Sequence, residues 1–126
     1  MAKILIVDDS LMDRKLTMNL LKKSGVDSEV LQAANGEEGL KVLSENFKDI
    51  ALILLDWQMP VMDGLEFMEG VVKVPEVSNI PIIMITASGG EDAREQARTV
   101  NPKLAGYVVK PYKPQELIDL ISQYLN

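Results

Sequence analysis

The stretch Ile50-Ala51-Leu52-Ile53-Leu54-Leu55-Asp56-Trp57-Gln58-Met59-Pro60-Val61-Met62-Asp63-Gly64 runs from an unbroken apolar segment into a carboxylate and then a turn bearing Pro and Gly. An apolar run without alternation describes a strand covered on both faces, as in the centre of a parallel sheet. Asp56 then stands at the carboxyl end of that strand. Pro60 and Gly64 punctuate a loop that closes the turn and starts a helix from about Asp63 to Lys73.

Working outward, four more short apolar runs read as strands: Ile4 to Val7, Glu29 to Ala33, which alone alternates clearly, Pro81 to Thr86, which is apolar almost throughout and belongs in the sheet centre with Ile50 to Leu55, and Ala105 to Val109. Helix-period segments lie between them. Met12, Leu16 and Leu20 mark the inward face of the first helix, Leu40, Leu43 and Phe47 that of the second, and Leu117, Ile121 and Tyr124 that of a fifth over Pro114 to Leu125. The second helix carries the capping box Asn35-x-x-Glu38, the first ends in Lys22-Lys23-Ser24-Gly25, and Pro114 suits a first helical turn. Glu91 to Val100 is the weakest helix, with only Ala93, Ala97 and Val100 as an apolar stripe and like-charged pairs at Glu91/Glu95 and Arg94/Arg98. Gly70 inside the third helix costs roughly 1 kcal/mol against Ala. Strand and helix alternating five times imply right-handed crossovers and an α/β, doubly wound sheet with helices on both faces. The 126 residues fit one domain, 1–126, without a linker or repeat.

Composition narrows the chemistry. Lys and Arg number 13 against 19 Asp and Glu, a net charge of −6, and there is no His or Cys. This removes disulfides, zinc sites, thiol nucleophiles, Ser-His-Asp triads and a phosphoryl-carrying histidine. No Lys/Arg cluster is dense enough to neutralise several phosphates, so nucleic acid is not an expected partner. No apolar run approaches the roughly 18 residues of a membrane span, and Met1-Ala2-Lys3-Ile4 passes straight into a strand. The expectation is a cytoplasmic protein without membrane insertion.

Doubly wound sheets bind ligands beyond the carboxyl ends of their strands. Asp8-Asp9 follows the first run, Asp56 the third, Thr86 ends the fourth and Lys110 follows the fifth. Four strand ends thus bring three carboxylates, a hydroxyl and an amine to one crevice. Two carboxylates about 4 Å apart repel by roughly 4 kcal/mol at an effective dielectric near 20. A cation is needed, and an oxygen-only donor set suits Mg²⁺, with Mn²⁺ as a substitute.

Four blocks in this order, Val7-Asp8-Asp9-Ser10, Asp56 through Gly64, Ile85-Thr86-Ala87 and Gly106-Tyr107-Val108-Val109-Lys110-Pro111, make the chain resemble the receiver domains of two-component response regulators. Within them it is similar to the stand-alone chemotaxis, CheY-like type. The resemblance implies a flavodoxin-like (βα)5 fold with strand order 2-1-3-4-5. It implies that Asp56 accepts a phosphoryl group from a histidine kinase, with Asp9, Asp56 and the Gln58 backbone carbonyl as Mg²⁺ ligands and Asp8 acting through water. Thr86 and Lys110 would meet the phosphoryl oxygens, Ala87 leaves room beside them, and Lys110-Pro111 would be cis. Thr86 and Tyr107 form the implied switch, and Gln58 and Ser88 would tune the phosphoryl lifetime. Trp57 would report metal binding by fluorescence. The implied output is a target protein bound through the fourth helix, fifth strand and fifth helix of a monomer. The protein would be a phosphoacceptor that catalyses its own phosphorylation and dephosphorylation rather than a conventional enzyme.

Because the expected fifth helix runs to the Asn126 end, the message is expected to pass by protein binding. The same residues would serve in a receiver module of a larger regulator or in a phosphorelay intermediate. Asn101-Pro102-Lys103-Leu104 departs from the small, Gly-rich approach usual before the switch aromatic. A flavodoxin-type redox protein shares the fold, but Asp8-Asp9-Ser10 would repel a flavin phosphate. A haloacid-dehalogenase-type phosphatase keeps its general acid two residues after the nucleophile, where this chain has Gln58.

Overall fold

The computed structural model describes residues 2–125. Met1 and Asn126, the ends of the expected 1–126 domain, lie outside the described residues. Strands β1 (Lys3–Val7), β2 (Glu29–Ala33), β3 (Ile50–Leu55), β4 (Ile82–Thr86) and β5 (Gly106–Val109) are parallel and ordered β2-β1-β3-β4-β5. Helices α1 (Leu11–Lys23), α2 (Gly36–Asn46), α3 (Gly64–Val72), α4 (Glu91–Val100) and α5 (Pro114–Ser122) connect them.

The period-two alternation of the strands sorts the core into two layers. Leu5, Val7, Ile53, Leu55, Ile82 and Met84 pack with Leu43 of α2, Phe67, Met68 and Val71 of α3 and Ala97 of α4. Ile4, Ile6, Leu52, Leu54, Ile83 and Ile85 pack on the other face with Leu21 of α1 and Leu117 and Ile121 of α5. β3 is apolar throughout because both faces are covered. None of the helices among the described residues is long and apolar enough to cross a membrane.

The first helix corrects its expected face. Met12 and Leu16 are 73% and 58% exposed, Leu20 is half-buried, and the buried residues of α1 are Thr17 and Leu21. The inward stripe is Asp13, Thr17 and Leu21, one residue later, and its two polar members hide it from a hydrophobic count. The fifth helix ends at Ser122 rather than Leu125, its last turn closing through the Gln123 N–H on Ile121 and Leu120. β4 begins at Ile82 because Pro81 has no N–H to give, although its carbonyl accepts from Ile53 at 3.0 Å.

Capping explains most boundaries. Ser10 accepts from the Asp13 N–H at 3.1 Å and Asn35 from that of Glu38 at 2.8 Å. The Glu38 carboxylate bonds Ala34 N–H at 3.3 Å rather than that of Asn35, so the expected box is only half closed. The complete box belongs to α3, where Asp63 accepts from Glu66 N–H at 2.8 Å and Glu66 returns to Asp63 N–H at 3.1 Å. α4 starts at Gly90 with no side-chain cap and buries only Ala97.

Gly70 lies in α3 opposite Leu40 of α2, and an added Cβ would stand 3.7 Å from the Leu40 methyls, an ordinary contact. Gly70→Ala is expected to raise stability by about 1 kcal/mol, because the helix regains the propensity glycine forgoes. Urea unfolding measures it, and an unchanged or lowered midpoint means that α2 and α3 need the space.

Candidate functional site

Register places the acids side by side. Val7 pairs with Leu55, so the residues that follow them emerge together, and the Asp56 N–H donates to the Val7 carbonyl at 2.9 Å. Carboxylate oxygens of Asp8, Asp9 and Asp56 all lie within 4.8 Å of one another. One oxygen of Asp8 accepts from Ser10 N–H at 2.9 Å and one of Asp56 from Trp57 N–H at 2.8 Å. Asp8 is buried, Asp56 half-buried and Asp9 exposed.

Lys110 answers this negative charge from the end of β5. The Lys110 N–H donates to the Thr86 carbonyl at 2.8 Å, and the peptide bond to Pro111 is cis. Its Nζ lies 2.9 Å from Asp13, 3.2 Å from Asp8 and 3.7 Å from Asp56. Burial alone would lower the Lys110 pKa, but Asp13, Asp56 and Asp8 together hold it above its ordinary value. Burial pushes the Asp56 carboxyl up to about 6, against the pull of Lys110 and with Asp8 adding to the rise. One ammonium therefore leaves the acids under-compensated, which is the condition a hard cation relieves. The Gln58 carbonyl accepts no hydrogen bond from the described residues, which leaves it free as an oxygen donor. The donor set is all oxygen and fits Mg²⁺.

The loop after β3 is held from several sides. Gly64 N–H donates to the Trp57 carbonyl at 2.7 Å, and Gly36 N–H to that of Met62 at 2.8 Å. Met62 N–H closes a three-residue turn on Pro60 at 2.7 Å, with Val61 at its centre in the left-handed region at φ +69°. A Cβ on Gly64 would lie 2.2 Å from the Asp56 carbonyl oxygen, so this glycine is a packing requirement and not only a turn residue. Trp57 and Met59 pack against the core from this loop, while Gln58 and Pro60 are exposed.

Thr86 is fully buried, its hydroxyl accepting from Ser88 N–H at 3.3 Å, and among the described residues it makes no hydrogen bond to Asp56. Ala87 beside it is exposed. Tyr107 lies on the opposite face of β5 from Val108, packed against the α2–α3–α4 core, and its hydroxyl donates to the Ser88 carbonyl. The Arg94 guanidinium of α4 sits 5.1 Å from the centre of its ring. Burial raises the Tyr107 pKa and Arg94 opposes it. The altered approach to β5 is closed by Asn101, buried, whose side chain accepts from Lys103 N–H at 3.1 Å and whose carbonyl accepts from Leu104 N–H at 3.0 Å.

Three neighbours of the site escaped the sequence reading. Asp13 bonds Lys110, Arg14 Nη1 donates to the Asp8 carbonyl at 2.5 Å while its Nε donates to Gln32 at 3.0 Å, and Arg94 covers Tyr107. Asp13 had a signal: it sits one helical turn after Asp9, on the first turn of the helix that follows the acidic pair.

Residues 4–122 match the family model described as the response regulator receiver domain. A chemotaxis protein CheY homolog of Campylobacter jejuni is 36% identical over 124 residues, 98% of this chain and 92% of that protein. The high-resolution structure of Vibrio cholerae chemotaxis protein CheY4 at low pH has a TM-score of 0.86 and 31% identity, covering 99% of each chain. A CheX–CheY–BeF3–Mg²⁺ complex from Borrelia burgdorferi is similar at a TM-score of 0.85 and 26% identity, covering 96% of this chain and 87% of that one.

Proposed function

The chain belongs to the response regulator receiver domain family, and we propose on that premise that it is a stand-alone, CheY-type regulator carrying its signal as a phosphoryl group on Asp56. The observation that supports this most directly is the Asp8/Asp9/Asp56 cluster with Lys110 within 3.7 Å of Asp56. The donor is a phosphohistidine of a histidine kinase. The bond from an Asp56 carboxylate oxygen to phosphorus forms as the donor's P–N bond breaks, and the imidazole leaves with the electron pair, neutral because its other ring nitrogen already carries a proton in the donor. Asp9, Asp56 and the Gln58 carbonyl would hold Mg²⁺ or Mn²⁺, and Asp8 would act through water. When bound, the cation neutralises charge on the phosphoryl oxygens. The chain's own groups supply positioning, which makes the transfer self-catalysed and opens it to small donors.

Output is a population shift. Thr86 turning to a phosphoryl oxygen would release its hydroxyl from Ser88 N–H, and Ser88 is also the partner of Tyr107. The switch pair thus shares one residue. α4, uncapped by a side chain and with one buried residue, is the element that moves most cheaply. The face of α4, β5 and α5 then receives the target protein, in chemotaxis by likeness to the relatives' printed names.

Incubation with acetyl phosphate and Mg²⁺ should add one phosphoryl group by intact mass, and a chelator should abolish it. Hydrogen exchange in the same samples should change across residues 88–109 and far less in α2. No mass gain would end the acceptor reading; a gain with exchange changes confined to the loops after β1 and β3 would end the switch alone.

A further inference from the structure

Lys110 meets three carboxylates, and the shortest contact goes to the one outside the acidic cluster. Asp13 Oδ2 is 2.9 Å from its Nζ, Asp8 3.2 Å and Asp56, the proposed acceptor, 3.7 Å. The Asp13 backbone is fixed independently of the lysine, because its N–H bonds the Ser10 hydroxyl at 3.1 Å in the first turn of α1. An acid is favoured at that helix end by the helix dipole. Its side chain stays 40% exposed, so its carboxylate needs no partner to offset burial.

We propose that Asp13 is a positioning residue that holds the Lys110 ammonium on the α1 side of the crevice, so that uptake of a phosphoryl group on Asp56 requires Lys110 to exchange Asp13 for a phosphoryl oxygen. The inference rests on the reading of Asp56 as acceptor. A lysine is a compact point charge on a flexible stem, and an anion that draws it to one wall weakens its attraction to another. Asp13 therefore sets how readily the site accepts a phosphoryl group without touching that group itself.

The test is affinity for fluoroberyllate, a phosphoryl mimic, with Mg²⁺ present and Trp57 fluorescence as the readout. Asp13→Asn, which retains the backbone bond to Ser10, should bind about two- to fivefold more tightly than the parent, the range of a partly exposed ion pair. Asp13→Ala should move the same way, and thermal melts check that both fold. In a Lys110→Ala background the Asp13→Asn gain should vanish, because the effect runs through the lysine. A gain that persists there shows a general field effect and overturns the proposal, as does equal affinity of Asp13→Asn and parent. If Lys110→Ala binds too weakly to measure, the metal-free protein decides: Asp13→Asn should move the Lys110 ¹³Cε resonance, and an unmoved resonance overturns the proposal. A parent that binds no fluoroberyllate removes the acceptor reading as well.

Discussion

Asp56→Asn should take up no phosphoryl group from acetyl phosphate where the parent gains one, a loss of at least about a hundredfold, because the attacking carboxylate is gone. Intact mass with Mg²⁺ measures it, and unchanged labelling would move the acceptor elsewhere. With a chelator present, the same substitution should stabilise the fold near neutral pH. Burial pushes the Asp56 carboxyl from its ordinary 3.8 up to about 6, Lys110 opposing and Asp8 and Asp9 reinforcing. The unfolded chain therefore releases this proton first as pH rises, the folded state holds more protons between about 4 and 6, and stability falls across that window. The deficit above pH 6 is at most about 3 kcal/mol, because solvent screens a carboxylate that is only partly buried. Asn carries no charge to desolvate, so the variant should gain about 2–3 kcal/mol, or roughly 10 °C in Tm for a domain of this size. Melts at pH 4 and pH 7 should show the gap close at the lower pH. Parallel pH dependences would mean that Asp56 is not the destabilised carboxylate.

Gly64→Ala should be the most damaging single methyl in the protein, costing about 3 kcal/mol or more. Its Cβ would lie 2.2 Å from the Asp56 carbonyl oxygen and 2.9 Å from the Trp57 Cα. Both are backbone atoms, so neither can rotate away. Relief requires the start of α3 to lift from the loop, breaking the Gly64 N–H bond to Trp57, or Asp56 to shift. Urea unfolding should show the loss, and phosphoryl labelling of the fraction that folds should fall with it. Gly70→Ala, in the same helix, is the control expected to act in the opposite direction. A Gly64→Ala midpoint within about 0.5 kcal/mol of the parent would show that α3 tolerates the displacement.

The layered architecture was legible in the sequence because uninterrupted runs such as Ile50 to Leu55 have one economical place, the interior of a parallel sheet. The strand-end rule then put Asp8, Asp9, Asp56, Thr86 and Lys110 together. On the first helix polar residues interrupt the pattern: two of the three inward residues are Asp13 and Thr17, and the apolar residues left outside, Met12 and Leu16, supply a false stripe. The capping box expected at Asn35 closes only in part, and the complete one stands at Asp63, which the sequence marks only as the approximate start of the third helix.

The element order, the two-sided core and the gathering of three carboxylates, a hydroxyl and an amine at the strand ends follow from residue type and short-range spacing. Folding across distant elements sets which acid Lys110 touches, joins Ser88 to both Thr86 and Tyr107, lays Arg94 over that tyrosine and brings Gly64 against the Asp56 carbonyl. Lys110 and Asp13 are 97 residues apart, and Arg94 and Tyr107 sit on different elements. Such contacts are set by strand register and helix rotation to within an ångström. Hydrophobic patterning resolves a face of about 100°, which is too coarse to choose among neighbouring carboxylates.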